Sequence, residues 1–366
     1  MTAPAARFGT GRPWTIGVEE ELIVVDARTH ALDHTGVEAI ATMGDVSALG
    51  EAKPDTYSAL VELASPVSAT AGAGVAALSE LRARLRATGA VAIGAGIHPD
   101  SAFGDVEHVP EARYAAVVAQ LGGLIRRTPT CALHVHVGVP DAQAAIRACN
   151  GMRAHLPLLQ ALAANSPFWF GQDSRLATAR AQLFRAYPRA EIPRSFADYD
   201  DYTRSVAAVV AAGDLPDYTF LWWDVRPHPN LGTVEVRAMD SQSALWSAAG
   251  LAALVQCLVR AEADADGPWA PREALMEASF TAARDGLAAR LPLGSGLVSV
   301  ADVAAAALDR ARPHARELGV ETELEGIGRI LAAGNGADRQ RAAHAGGGMP
   351  AVLDLLVAEA AEPYPG

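Results

Sequence analysis

The sequence predicts an α+β fold in which a sheet carries the chemistry and helices cover it. Three observations lead there. Strand-like and helix-like patterns interleave up to about residue 242, the rest of the 366 residues is almost entirely helical, and the conspicuous charges sit inside segments that otherwise want burial. With 50% hydrophobic and 20% charged residues the chain has enough apolar material for a large core. We read residues 1–366 as a single domain with a helical C-terminal part over about 243–366.

The first strand is Ile16 to Val25, "IGVEEELIVV", where aliphatic and β-branched residues surround three consecutive glutamates. Side chains of a strand alternate faces, so residues i and i+2 project together, roughly 6.5–7 Å apart. Glu19 and Glu21 therefore share one face. Glu20 falls on the apolar face with Val18, Leu22 and Val24. "SALVELASPV" (Ser58 to Val67) is a second strand, ended by Ser65-Pro66, with Glu62 as its lone charge. A helix follows from about Gly74 to Thr88, with Val75, Leu78, Leu81 and Leu85 on one side, and then "AVAIGAGIHPD" as a buried strand running into a turn. Glu111 to Ile125 spaces Tyr114, Val117, Val118, Leu121 and Ile125 as a helix that covers a sheet face.

"CALHVHVGV" (Cys131 to Val139) is the next strand and aims His134 and His136 the same way. Asp141 caps an Ala-rich helix that Pro157 should kink or break. Asn165 to Asp201 reads as a long irregular excursion punctuated by Pro167, Pro188 and Pro193, and such a segment is usually functional or mobile. Tyr218 to Arg226 and Thr233 to Met239 are two strands joined by a Pro/Asn/Gly turn, with Glu235 and Arg237 on one face. From Ser243 onward we expect helices with glycine breaks.

Composition excludes several classes. A net charge of -12 and a pI near 5.3, without clustered Lys and Arg, argue against a nucleic-acid partner. No segment approaches the roughly 20 apolar residues of a membrane helix, and "MTAPAARFGTGRPW" lacks the apolar core of a signal peptide, so the expectation is a cytoplasmic protein. Cys131, Cys149 and Cys257 lack CxxC spacing and read as buried free thiols. "GAGIHPDS" and "GTGRPW" are neither Walker nor dinucleotide fingerprints, and no nucleophile elbow or HExxH occurs.

Each strand motif taken alone has an ordinary structural reading: a solvated edge for "VEEEL", a sheet pair for "HVH", a surface ion pair for "EVR". Four mostly apolar strands that each place acid, imidazole or guanidinium on one face are a different matter. If those faces line one concave sheet, Glu19, Glu21, Glu62 and Glu235 with a histidine form a cluster whose like charges need compensating cations. Carboxylates suit Mg²⁺, and an imidazole among them extends tolerance to Mn²⁺. Such sites clamp polyphosphate, with an arginine neutralising transferred phosphoryl charge, and Arg237 is placed for that.

In this order and spacing, "IGVEEEL", "VELASP", "LHVHVGV", "ANSPFWFGQDSRLATAR" and "WDVRPHPNLGTVEVRAMD" resemble the YbdK-type carboxylate-amine ligases, a branch of the glutamate-cysteine ligase family related to glutamine synthetase. The likeness runs from about Trp14 to Glu359. It implies a curved antiparallel sheet of about six strands, a funnel with helices outside, and ATP-driven amide formation through an acyl phosphate, with L-glutamate and L-cysteine as the first substrates to consider. By resemblance, Glu19, Glu21, Glu62, His134 and Glu235 hold metal, His136 and Arg237 meet nucleotide phosphates, Arg226 binds substrate carboxylate or phosphate, and Glu235, Arg237 and Arg226 are catalytic. His134 and His136 are interchangeable in role. Asp55 stands where relatives tend to carry Glu. The loop with Trp169, Phe170, Asp173, Ser174 and Arg175 would border the acceptor amine, with Trp169 and Arg175 as substrate-binding candidates. The partners expected are small molecules (ATP, an amino acid, an amine), and helix-rich outer surfaces suit a homodimer. A guanidino or carboxyl kinase on the same scaffold and a non-catalytic divalent-metal-binding protein are the alternatives. On this reading Glu21→Gln or Glu235→Gln abolishes ATP turnover with the fold intact.

Overall fold

A computed structural model describes residues 6–364, so the first five residues of the N-terminal segment lie outside the described residues. The chain runs β1 (Ile16–Val25), α1 (Gly36–Thr42), β2 (Glu51–Pro54), β3 (Leu60–Ala64), α2 (Ala71–Ala87), β4 (Val91–Ile93), α3 (Ala112–Leu121), β5 (Ala132–Gly138), α4 (Ala142–Met152) and α5 (Leu156–Ala163). A two-strand ribbon, β6 (Phe168–Trp169) and β7 (Gln172–Asp173), precedes α6 (Ala179–Phe184), α7 (Tyr199–Ala212), β8 (Val225–His228) and β9 (Thr233–Asp240). The remainder is α8 (Leu245–Glu262), α9 (Arg272–Asp285), a hairpin of β10 (Arg290–Leu293) and β11 (Gly296–Ser299), then α10 (Val300–Leu318), α11 (Glu321–Ala333) and α12 (Gly336–Ala361).

The main sheet has seven strands in the order β2-β3-β1-β5-β9-β8, with β4 added beside β1, and every pairing is antiparallel. One face is apolar: Val18, Leu22 and Val24 of β1, Leu133, Val135 and Val137 of β5, and Val234 and Val236 of β9 are buried in one cluster with α2, α4, α5 and α8. Period-two alternation then leaves the polar side chains of the same strands on the opposite face. Glu20 is the exception on the apolar face. It is fully buried there and receives Arg82 of α2 through Nε–Oε1 (2.8 Å) and Nη2–Oε2 (2.6 Å) bonds.

Local chemistry explains most element ends. Thr70, Asp141, Thr178 and Asp198 cap α2, α4, α6 and α7 by accepting backbone N–H groups. Pro157 does break the Ala-rich helix: α4 ends at Met152, a 3-10 turn follows, and Pro157 sits in the first turn of α5, where its missing N–H costs nothing. The segment 165–201 is less irregular than its composition suggests. Phe170 and Gly171, both at positive φ, close the β6–β7 ribbon, and α6 packs against α9. Two further differences are the β10–β11 hairpin inside the expected helical region and a 3-10 turn at Tyr218–Phe220 where a strand was expected. No helix among the described residues is long and apolar enough to cross a membrane.

Candidate active site

Register brings the strand charges into rows. Across β2, β3 and β1, Lys53 faces Glu62 and Glu62 faces Glu21; across β1 and β5, Glu19 faces His134; across β5, β9 and β8, His136 faces Glu235 and Glu235 faces Arg226. The β5–β9 pairing shifts register between Leu133 and Val135, next to His134. All of these side chains, with Arg237, line one cavity of about 460 Å³ over the polar face of the sheet. Its far wall is apolar and aromatic, including Val117, Leu121, Tyr187 and Trp222.

The charges hold one another in a definite pattern. Glu235 is 1% exposed, and Arg226 donates to it from Nε (2.5 Å) and Nη2 (3.3 Å) while Arg237 donates from Nη1. Arg226 spends its Nη1 on the carbonyls of Leu221 (2.6 Å) and Thr219 (3.1 Å), whereas the buried Nε of Arg237 has no partner. Burial works against ionisation of Glu235, but the two guanidinium charges hold its carboxyl well below the usual range. Glu235→Gln would thus strip both arginines of their counter-charge.

Glu19 lies 3.5 Å from His134 Nδ1 and 3.6 Å from His136 Nε2. Burial would raise its carboxyl, but the charge of His136 and the closeness of both imidazoles hold it well below the ordinary value. His134 is pushed down to about 3 by burial and the Arg237 charge, and so presents a neutral ring. His136 is raised, the Glu19 and Glu235 charges outweighing burial, and its Nδ1 lies 3.0 Å from Thr233 Oγ1.

Glu21 accepts the Ala132 N–H at 2.7 Å, and burial together with the Asp55 and Glu62 charges pushes it well above the carboxylate range. Glu62 is raised to about 7 by burial and Glu19, even though Lys53 Nζ lies 2.9 Å away. Two acids, Glu21 and Glu62, that resist ionisation because they are buried and face other acids, with the ionised Glu19 and an imidazole beside them, fit a hard divalent cation in donor chemistry. Among the described residues no three of these groups close around one point; Glu62 is drawn to Lys53 and Glu235 to its arginines.

Trp169 and Arg175 are not brought to this cavity. Trp169 packs with Ile97, Ala179 and Leu183, and Arg175, at φ 59 just beyond the ribbon, is exposed. Arg180, five residues on in the same motif, reaches the cavity instead; only the helical register of α6 reveals this. Lys53 is likewise a lining residue that sequence reasoning passed over, since "EAKP" is too short to announce itself as a strand.

Residues 15–353 match the model of glutamate-cysteine ligase family 2. A Rubrobacter xylanophilus protein provisionally named glutamate-cysteine ligase 2-3 is 42% identical over 359 residues, covering 96% of this chain and 98% of that one. A glutamate-cysteine ligase of Halobacterium salinarum is 37% identical over 63% of this chain and 65% of its own. Among solved structures, the Francisella tularensis glutamate-cysteine ligase in complex with AMP superposes with a TM-score of 0.71 at 13% identity, covering 96% of this chain and 90% of that chain, a likeness of fold. The order of the motifs, the antiparallel sheet and these relatives agree: the chain belongs to glutamate-cysteine ligase family 2.

Proposed function

We propose that this protein is an ATP-dependent ligase that joins a carboxylate to an amine through an acyl phosphate, with the L-glutamate γ-carboxylate as the acid and L-cysteine as the first amine to test. The observation that carries the reading is the division of one sheet face into a carboxylate–imidazole row and an arginine row over a single cavity. That arrangement suits two anionic reactants that must be shielded from each other before they can react. The family, and a neighbouring structure that holds AMP, support a nucleotide in that cavity.

On this reading Glu19, Glu21, Glu62 and the neutral ring of His134 would hold Mg²⁺ or Mn²⁺. Bound there, the cation supplies charge neutralisation of the polyphosphate. Arg237, with a donor to spare, meets the transferred phosphoryl group, and His136 meets a nucleotide phosphate. Glu235 and Arg226 hold Arg237 in place. A substrate carboxylate oxygen attacks the γ-phosphorus and ADP leaves; the amine nitrogen then attacks the acyl carbon, phosphate leaves, and the nitrogen loses a proton. No substrate contact is proposed for Trp169 or Arg175. We also propose that the chain is a single folding unit, since α8 shares one core with the sheet, and that it works in the cytoplasm on small molecules.

The test is ADP release from Mg²⁺-ATP with L-glutamate, with and without a panel of amines beginning with L-cysteine, alongside mass spectrometry. Amine-dependent ADP release with a new amide mass is the expected result. Release independent of every amine would assign a carboxyl kinase instead. No nucleotide turnover with any acid would refute the ligase.

A further inference from the structure

We propose that Arg180 is a further ligand-contacting residue of this cavity, binding an anionic oxygen of the reactants, and that Asp240 is the residue that positions it. The identity of the reactants rests on the ligase reading; the geometry does not. Arg180 is 3% exposed, yet it lines the cavity beside Glu21 and Arg237. A guanidinium carries five N–H donors. A single hydrogen bond leaves this one, from Nη2 to the Arg237 carbonyl at 3.3 Å, and its buried Nε has no partner. A buried cation with unspent donors at a cavity wall is costly unless an oxygen-bearing anion fills its fork. Phe184, 5.3 Å from Cζ, supports the guanidinium on its ring face and supplies no acceptor.

Asp240 explains why the guanidinium stays where it is. Its Oδ1 accepts from Thr178 Oγ1 (2.8 Å), and its Oδ2 accepts from Ser166 Oγ (2.7 Å) and the Asn165 N–H (2.8 Å). Thr178 is in turn the N-cap of α6, which carries Arg180. The carboxylate, 2% exposed, thereby fixes the start of that helix to the end of β9 and stands 4.0 Å from Arg180 Nη1. Asp240 lies three residues beyond Arg237 on the same strand, so one element helps to place two arginines that line the cavity. Two such forks suit a reactant pair with two anionic ends: a second carboxylate of the acid, or the phosphoryl group in transfer.

Arg180→Gln, Arg180→Lys and Asp240→Asn are compared with the wild type by calorimetric titration with L-glutamate and, separately, with the Mg²⁺ complex of a non-hydrolysable ATP analogue, and by ADP-release kinetics. Arg180→Gln should weaken one ligand at least about tenfold and leave the other within about twofold, and Arg180→Lys should recover part of the loss. Loss confined to L-glutamate assigns the carboxylate; loss confined to the nucleotide assigns the phosphoryl group. Asp240→Asn should weaken the same ligand several-fold and add less than about twofold on top of Arg180→Gln, a coupling that a residue serving only the fold would not show. Folded Arg180→Gln protein that binds both ligands and turns over like the wild type overturns the proposal, as does full additivity of the two changes. A wild type that binds both ligands but forms no amide refutes the ligase and leaves Arg180 to be decided by the titrations. A wild type that binds neither overturns both.

Discussion

Arg82→Met probes a charge pair that the fold places in the core away from the cavity. Arg82 is 2% exposed and Glu20 fully buried. Besides its two bonds to Glu20, Arg82 donates from Nη1 to the Ser243 carbonyl (2.6 Å) and from Nη2 to the Gln242 carbonyl (2.8 Å), tying α2 and β1 to the link between β9 and α8. Methionine fills much of the volume but supplies no donor. Removing one partner of a buried pair costs about 3–5 kcal/mol. Each of the two orphaned carbonyls adds up to about 1–3 kcal/mol, less whatever water can enter. A loss of at least about 4 kcal/mol is expected, a large part of the stability of an ordinary domain. Urea unfolding followed by circular dichroism measures it. The double variant Glu20→Leu, Arg82→Met should be more stable than Arg82→Met alone, because no unpaired charge remains. A loss below about 1 kcal/mol, or a double variant no better than the single, would refute the account of Glu20 as a paired core charge.

Four further outcomes follow from the same geometry. Glu21→Gln keeps an acceptor for the Ala132 N–H and relieves repulsion from Asp55 and Glu62, so the protein should stay folded by circular dichroism while ADP release is abolished; near-normal turnover would remove Glu21 from the site. Lys53→Met frees Glu62 from a half-exposed ammonium, and electron paramagnetic resonance titration should find Mn²⁺ bound more tightly by up to about fivefold, the equivalent of about 1 kcal/mol. For Glu262, burial opposes ionisation, but His155 (2.9 Å) and Arg310 (2.6 Å) more than offset it and lower its carboxyl below the ordinary 4.5. A lowered folded value means stabilisation that is complete above about pH 4.5 and lost as pH falls through the folded value, so the urea midpoints of wild type and Glu262→Gln should converge in acid. At Gly96 an added Cβ would stand 2.5 Å from Asp240 Cγ and 2.8 Å from Ser166 Oγ, so Gly96→Ala should cost about 1–3 kcal/mol in urea unfolding.

Much of the fold and of the candidate site was legible because β-strand alternation is local. Which side chains share a face follows from period two within one strand, and that is enough to put Glu19 with Glu21, His134 with His136 and Glu235 with Arg237, and to send Glu20 the other way. The apolar run on the opposite face also announces a sheet covered by helices, as found. Turn chemistry is equally local, which is why Asp141 and Pro157 mark the helix boundaries they do.

Neighbourhood between strands is a different kind of information, since it depends on pairings across tens to hundreds of residues. Tertiary structure alone brought Lys53 to Glu62, seated Arg226 on Glu235 so that two guanidiniums take up one carboxylate, and found Arg82 as the counter-charge of Glu20. It also chose between two arginines five residues apart: the ribbon turn leaves Arg175 in solvent, while the first turn of α6 carries Arg180 to the cavity wall. The sequence by itself determined the chemical types and the faces they share, because those are set by a repeat of two residues. The packed fold decided which charges meet and which donors remain unspent, because burial removes the water that would otherwise satisfy each of them separately.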